Sequence, residues 1–342
     1  MAVSNVSVYS PPLAAPKGTG NAIRVNVHSP FPVPALVQHS GERAYHKFVE
    51  YFIGQLRNPH TRAAYARAVD RFLTWCEQQG AKCLEDISYL AVAAYIEQHP
   101  ASSPSVLQHL AAIRQLFAWL QRHGVLVENP AANIKGPKHR VKIGKTPVLG
   151  AEEMRQLLAS FDTSHIIGLR DRAIISLMTF TFARIGAVVA MNVEDYFQKG
   201  SRHWVRLYEK GGKYLEVPLH HLADDYIHSY VEAAQRYGDL LWEKGTGLFR
   251  TQRRGRIKEL SHNRLNRRDA WAMVKRRAAD AGIATDICNH TFRGTGITNY
   301  LERGGSRDIA QELAGHEDVR TTALYDRRAS KVSLDDIERI RF

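Results

Sequence analysis

The chain has 342 residues and a formal net charge of +13, from 47 Lys+Arg against 34 Asp+Glu, with 44% hydrophobic and 24% charged residues. That composition excludes a wholly disordered or collagen-like chain, and the length suits about two domains at the usual ~100–200 residues each. No apolar run approaches the ~18 residues of a bilayer span, and the first 20 residues hold no basic stretch followed by an apolar core, so neither a membrane segment nor a secretory leader is expected.

Residues 1–40 hold six of the 13 prolines and no acidic residue, which predicts an extended or disordered N-terminal arm. Residues 41–130 then turn helical. Asn58-Pro59 opens a helix in which Tyr65, Ala68, Val69, Phe72 and Cys76 recur at three- and four-residue spacing until Gly80. Ser103-Pro104 opens another, with Val106, Leu110, Ile113, Phe117 and Leu120 on one face and Gly124 as its stop. Amphipathic stretches around Ala44–Leu56 and Ser88–His99 complete a bundle of four helices.

Residues 131–150 are rich in Pro and Gly and carry Lys135, Lys138, Arg140, Lys142 and Lys145 without an acid, the pattern of a basic interdomain linker suited to a phosphate backbone. Gly144-Lys145-Thr146 ends like a phosphate-binding loop, but the glycine required five residues before Gly144 is His139, so that motif is rejected. Residues 151–330 form a mixed second domain. Helices are expected at Glu152–Ser160, Leu169–Phe182, Leu222–Tyr237, His262–Ala281, Thr291–Arg303 and Val319–Tyr325. Val205 and Leu207, then Leu215, Val217 and Leu219, alternate across two strands joined at Lys210-Gly211-Gly212-Lys213. Residues 331–342 form a tail in which Leu334, Ile337 and Ile340 make one stripe, suited to docking on a neighbouring subunit or on its own domain.

Charge is local. Between Arg250 and Arg277 there are 11 basic and two acidic residues, and Arg253, Arg254, Arg256, Arg267 and Arg268 are candidate contacts to a polyanion, most simply DNA. Three cysteines, Cys76, Cys83 and Cys288, none at CxxC spacing, make no disulfide framework and suit a reduced, cytoplasmic compartment.

Five features carry chemistry. Arg184 follows a buried apolar helix, and Lys210 sits at the tip of the hairpin. His290 and Arg293 form HxxR on one face of a helix start. His316 follows Gly315, and Tyr325 comes nine residues later. Any one of these has an ordinary structural explanation; the conjunction does not. Arginines give bidentate donors to the non-bridging oxygens of a phosphodiester and offset charge on a five-coordinate phosphorus. A tyrosine hydroxyl is a nucleophile that forms an aryl phosphate and conserves the bond energy, lysine can protonate the departing oxygen, and histidine can manage the proton or hold the phosphate. No carboxylate cluster with magnesium spacing lies beside them, so chemistry without a metal or other cofactor is expected.

With these motifs in place, the sequence resembles the tyrosine recombinases, or phage-type integrases, over roughly residues 45–335. The run Leu313-Ala314-Gly315-His316 through Thr321-Thr322-Ala323-Leu324-Tyr325 is its most specific piece. The resemblance implies a mainly α fold with a small β-sheet: a helical core-binding domain plus a tyrosine-recombinase catalytic domain, closing as a clamp on duplex DNA. It makes Arg184, Lys210, His290, Arg293 and His316 the catalytic set and Tyr325 the nucleophile of a 3′-phosphotyrosine intermediate. Strand exchange through a Holliday junction by a homotetramer on two duplexes would follow, with no membrane and no stated accessory protein. Two positions depart or compete. Relatives commonly carry an acidic residue three after the first arginine, where this chain has Ala187, and Lys213 competes with Lys210. A type IB topoisomerase and a catalytically inactive DNA-binding regulator are the rival functions.

Overall fold

The computed structural model of this chain describes residues 31–139, 144, 146–208, 214–236, 243–253, 255 and 258–326. It divides into two compact units, residues 1–140 and 141–342, mainly helical, with two small antiparallel sheets in the second.

The first unit holds helices α1 (Ala35–His39), α2 (Glu42–Glu50), α3 (Pro59–Gln78), α4 (Tyr89–Glu97) and α5 (Ser103–Arg122), with α2 running on into a π-helical turn at Tyr51–Gln55. The Asn58 side chain starts α3 by accepting from the amides of His60 (2.9 Å) and Thr61 (3.3 Å), while Pro59 takes the first position, where no amide is needed. Val69, Phe72, Leu73 and Cys76 of α3 share one core with Leu110, Ile113, Phe117 and Leu120 of α5. The Phe72 ring meets Tyr95 and Phe117 edge-on. Residues 35–39 depart from the extended arm that their proline-rich context predicts. Leu36 and Val37 are fully buried in this core, and the Leu36 amide donates to Glu77 Oε1 at 2.9 Å. Burying two such side chains contributes about 1.5–3 kcal/mol each, enough to order a segment that has no helical period.

The second unit runs through α6 (Ala151–Ala159), α7 (Ile166–Phe180) and α8 (Ile185–Ala190) to a meander of β1 (Tyr196–Lys199), β2 (Arg202–Tyr208) and β3 (Tyr214–Pro218). Then follow α9 (His221–Arg236), the pair β4 (Arg250–Gln252) and β5 (Leu260–Arg264), and α10 (Arg267–Asp280), α11 (Asn289–Glu302), α12 (Arg307–Ala314) and α13 (Val319–Ala323). In the meander Val205 pairs with Val217 and Leu207 with Leu215, so the alternation read from the sequence is the inward face of the sheet. The apolar α7 is the axis of the unit, packed against α9 and α11. The single helix expected over His262–Ala281 is divided. Arg264 pairs with Arg250 in the small sheet, and α10 begins only after Asn266, whose side chain caps the amides of Arg268 and Asp269.

The Arg250–Arg277 segment is also less uniformly exposed than its charge suggests. Arg250 is buried, and Arg264 donates to the carbonyls of Ala190 (2.7 Å) and Met191 (2.8 Å). Arg277 reaches Asp171 Oδ2 through Nε (2.9 Å) and Nη2 (2.7 Å). Asp171, 1% exposed, takes Arg170 on its other oxygen, and Arg170 in turn donates to the Arg250 carbonyl at 2.7 Å. One carboxylate thus joins α7, α10 and β4. Replacing it leaves the buried Arg170 without a carboxylate and the partly exposed Arg277 with Asp280 alone, so Asp171→Ala should lower the unfolding free energy by about 3–5 kcal/mol. Urea unfolding of the full chain measures this, and a loss under about 1 kcal/mol, the worth of a solvated pair, would contradict it.

Candidate active site

The site is assembled from four chain segments around one buried charge. Arg293, in the first turns of α11, is 1% exposed; its Nη1 donates to the Phe182 carbonyl at 2.5 Å and its Nη2 to the Ala314 carbonyl. The first acceptor exists because the chain leaves α7 through Phe182 in a left-handed conformation (φ 56°), rare for a bulky residue. Two residues on, Arg184 stands half-buried at the start of α8. The second acceptor ends α12, where Gly315 in the left-handed region turns the chain into His316. Arg293 therefore ties together the turns that present Arg184 and His316.

Two glycines of α11 make the approach possible. A Cβ on Gly296 would lie 2.0 Å from the Thr179 carbonyl oxygen and 2.8 Å from the Phe182 ring. A Cβ on Gly294 would press on the Tyr325 ring at 3.2 Å. Tyr325 follows α13 and is buried; Thr298 Oγ1 donates to its carbonyl at 3.2 Å. Its hydroxyl lies 2.7 Å from His290 Nε2, and its ring is parallel to that of His316 (9°, centroids 6.0 Å apart). His316 Nδ1 meets Thr322 Oγ1 at 2.9 Å.

The electrostatics follow from burial beside two guanidinium groups. Burial lowers the His316 pKa to about 3, with Arg293, Arg184 and His290 adding to the shift. His290 keeps an edge open to solvent, yet the protein around its ring, then Arg293 and Arg184, holds its pKa below the ordinary value. Burial raises the Tyr325 phenol, while Arg293, Arg184 and a hydrogen bond from the Thr146 side chain pull the other way. At neutral pH both imidazoles are therefore neutral, and the proton rests on Tyr325.

Arg184, His290, Arg293, His316 and Tyr325 are thus brought together. Lys210 and its competitor Lys213 lie outside the described residues, as do Arg140, Lys142, Arg254, Arg256 and residues 327–342. Lys135 and Lys138 are exposed in the first unit. Arg253, Arg267 and Arg268 are exposed in the second, Arg253 paired with Glu259 at 2.9 Å. Ala187 is buried in α8 and brings no carboxylate; the backbone carbonyls of Phe182 and Ala314 orient Arg293. Phe182 gave no functional signal in the sequence, since its carbonyl acts through a contact across the fold, whereas Thr322 lies inside the Leu313–Tyr325 run that carries the resemblance.

The sequence pattern of the phage integrase family matches residues 147–331, and that of the phage integrase N-terminal SAM-like domain matches residues 46–124. Tyrosine recombinase XerD of Listeria monocytogenes is 29% identical over 285 residues, 81% of this chain and 91% of that protein. XerD of Corynebacterium glutamicum is 30% identical over 277 residues, 78% of this chain and 86% of that protein. Among solved structures, the XerH site-specific recombinase in a post-cleavage complex with its palindromic difH substrate superimposes with a TM-score of 0.62 at 18% identity, over 79% of this chain and 77% of that one. A lambda integrase tetramer bound to a Holliday junction gives 0.59 at 17% identity, over 85% and 79%. At such identities these two report the fold.

The depressed His316 pKa has a measurable consequence. The unfolded chain binds a proton at an ordinary histidine near pH ~6.5, whereas folded His316 does not until about pH 3. Between those limits the unfolded state holds more protons, so this group's contribution to stability is complete above the unfolded value and is lost as pH falls. Histidine ring NMR should show no titration of His316 between about pH 5 and 8, the window in which ordinary histidines change charge. A midpoint near 6.5 would remove the buried cationic setting described above.

Proposed function

This chain belongs to the phage integrase family of tyrosine recombinases, enzymes that cleave and rejoin DNA at specific sites, and from that premise we propose that Tyr325 is the nucleophile of this chain. The carrying observation is its hydroxyl 2.7 Å from the Nε2 of a neutral His290, inside the field of Arg184 and Arg293. His290 takes the phenol proton as Oη attacks the scissile phosphorus, and the bond to the 5′ oxygen breaks. Lys210, with Lys213 as the alternative, protonates that leaving oxygen. Arg184 and Arg293 face the non-bridging oxygens, where charge builds in the transition state. His316 Nδ1 meets the Thr322 hydroxyl, and in the tautomer that accepts from Thr322 its Nε2–H donates to the same phosphate. The 3′-phosphotyrosine is resolved when a 5′ hydroxyl of the partner duplex attacks it, by way of a Holliday junction. Neither the topoisomerase nor the inactive-regulator reading is favoured by the family match.

We further propose a specific duplex site, four subunits on two duplexes, and action on DNA in the cytoplasm. The exposed Lys135, Lys138, Arg253, Arg267 and Arg268 suit phosphate contacts, and the lambda integrase tetramer on a Holliday junction supports the stoichiometry. Among the described residues, no helix is long and apolar enough to cross a membrane.

Two substitutions test this reading on a nicked duplex carrying the sequence that the chain itself selects from a random DNA library. Tyr325→Phe keeps the ring that fills the space beside Gly294 but removes the nucleophile, so binding should persist and the covalent band on a denaturing gel should vanish. A persistent band would place the nucleophile elsewhere. Arg293→Lys keeps the charge but loses the planar fork that reaches two carbonyls, and cleavage should fall at least ~100-fold, the scale of one transition-state donor. Near-normal cleavage by the lysine variant would remove Arg293 from the catalytic set.

A further inference from the structure

The helix before Tyr325 is too short to hold it in place. α13 has five residues and ends at Ala323, and a helix of that length is weak by itself. The three residues that follow it are fastened from other parts of the unit. The Gly144 amide donates to the Leu324 carbonyl at 3.1 Å, Thr298 Oγ1 to the Tyr325 carbonyl at 3.2 Å, and Arg307 Nε to Asp326 Oδ2 at 2.5 Å. The first two bonds end on backbone carbonyls and would accept any residue. The third is made by two side chains. The Asp326 side chain is 1% exposed, against 47% for Arg307. A carboxylate taken out of water needs charge-assisted donors, and Arg307 brings a full positive charge to it. Arg307 is the first residue of α12, the end at which the helix macrodipole disfavours a cation. Ser306 already caps that end, accepting from the Ile309 amide at 3.2 Å. Arg307 thus serves Asp326 rather than its own helix. The other end of α12 gives the Ala314 carbonyl to Arg293 and turns through Gly315 into His316. One helix therefore holds the Tyr325 segment at its first residue and the arginine and histidine of the site at its last.

We propose that Arg307 is a positioning residue for the nucleophile: through Asp326 it fixes the backbone from which the Tyr325 hydroxyl reaches His290. The proposal rests on the reading of Tyr325 as nucleophile. The phenol oxygen lies at the far end of a rigid ring, so a small rotation of the backbone becomes a larger displacement at Oη. That oxygen stands 2.7 Å from His290 Nε2, and misplacing a reacting atom by about 1 Å costs on the order of 100-fold in rate. Because Asp326 is the residue directly after Tyr325, a tether on its carboxylate limits that rotation. The tether also runs to α12 and so sets the phenol relative to Arg293 and His316, whose own positions α12 helps to fix. Arg307 acts through Asp326 alone, so losing it slows the chemical step and leaves the hold on DNA as it was.

The test uses Arg307→Met, which keeps an unbranched stem without the charge, Arg307→Lys, which keeps the charge, and Asp326→Asn, which keeps the shape. On the nicked selected duplex at saturating DNA, Arg307→Met and Asp326→Asn should each slow single-turnover cleavage by about 10-fold, the worth of a hydrogen bond to a charged group. Arg307→Lys should stay within about 3-fold of wild type, since an ammonium still meets the carboxylate. DNA affinity should change by less than about 2-fold in all three, which puts the loss on the chemical step. The double variant Arg307→Met with Asp326→Asn should be no slower than the slower single, because both remove one interaction. In the full chain with ¹³Cζ-labelled tyrosine, the Tyr325 resonance should move in Arg307→Met and stay near its wild-type place in Arg307→Lys. Four results would each overturn the proposal. They are near-normal cleavage by Arg307→Met, losses that multiply in the double variant, a loss that tracks thermal unfolding while the Tyr325 resonance stays put, and a weakened DNA affinity with a shallower salt slope. The last would make Arg307 a phosphate contact instead. None of these touches the Tyr325 reading, which fails only if Tyr325→Phe still forms the covalent complex.

Discussion

The site depends on one guanidinium taken out of water. Arg293 is nearly inaccessible, and each of its two terminal nitrogens donates one N–H to a backbone carbonyl, that of Phe182 or of Ala314. A buried charge is tolerated only where polar groups face it, so the chain must return to α11 twice, at the end of α7 and at the end of α12. The first return is costly in backbone terms, since it needs a phenylalanine at positive φ, while the second is a left-handed turn that Gly315 makes without that penalty. Each delivers a reactive side chain within two residues, Arg184 after the first and His316 after the second. The same contacts that satisfy the buried charge thus fix the distances between the groups proposed to act on the phosphate.

Close approach is the second constraint, and it explains the composition of α11. Between Arg293 and Ile297 the helix reads Gly294-Thr295-Gly296, poor in helix propensity and fully buried. Any side chain at Gly296 would displace the Thr179 carbonyl and the Phe182 ring, and so the turn that accepts from Arg293. The threonine between the glycines receives the Leu149 amide, and Thr298 donates to the Tyr325 carbonyl. A helix that would be marginal by itself is held by what packs on it, and its small residues are where its neighbours come nearest.

Much of this was legible before the structure, and the residues say why. Periodicity found the buried faces of α3 and α5, because Val69, Phe72 and Cys76 or Leu110, Ile113 and Phe117 point to one core at helical spacing. Alternation found β2 and β3 by the same logic at period two. The residues gathered around Arg293 were recognisable as a set because side-chain chemistry, unlike packing, is written in residue type. What escaped was set by contacts distant in sequence. Nothing in Ala35–His39 announces that Leu36 and Val37 will fill the first core. The polar His262-Asn263-Arg264 become a strand only because Arg250–Gln252 lies alongside. Short α8 and α12 are too brief for a period to register. The basic run up to Arg277 reads as one surface patch, although Asp171 holds Arg277, the backbone near Met191 holds Arg264, and Arg250 is buried.

The charge arrangement also couples the site to its occupant. Burial, then Arg293 and Arg184, depress both histidines, and the two arginines oppose the burial that raises the Tyr325 phenol, so the site carries positive charge with no proton on either imidazole. An anion placed between the arginines cancels their field at the rings. The coulombic part of the His290 depression then falls away and its proton affinity rises, while burial still discounts the free charged form. On the proposed reading, transfer from Tyr325 to His290 leaves the net charge of the site unchanged, but it places the imidazolium beside the bound phosphate. With His290 as the base in that reading, its base strength is least when no phosphate is present and greatest when one is bound. His290 is exposed while Tyr325 is buried, so water screens part of the arginines' field at the imidazole and narrows that dependence. The burial that keeps the Tyr325 phenol protonated at rest would then leave the switching of the base to the substrate's own charge.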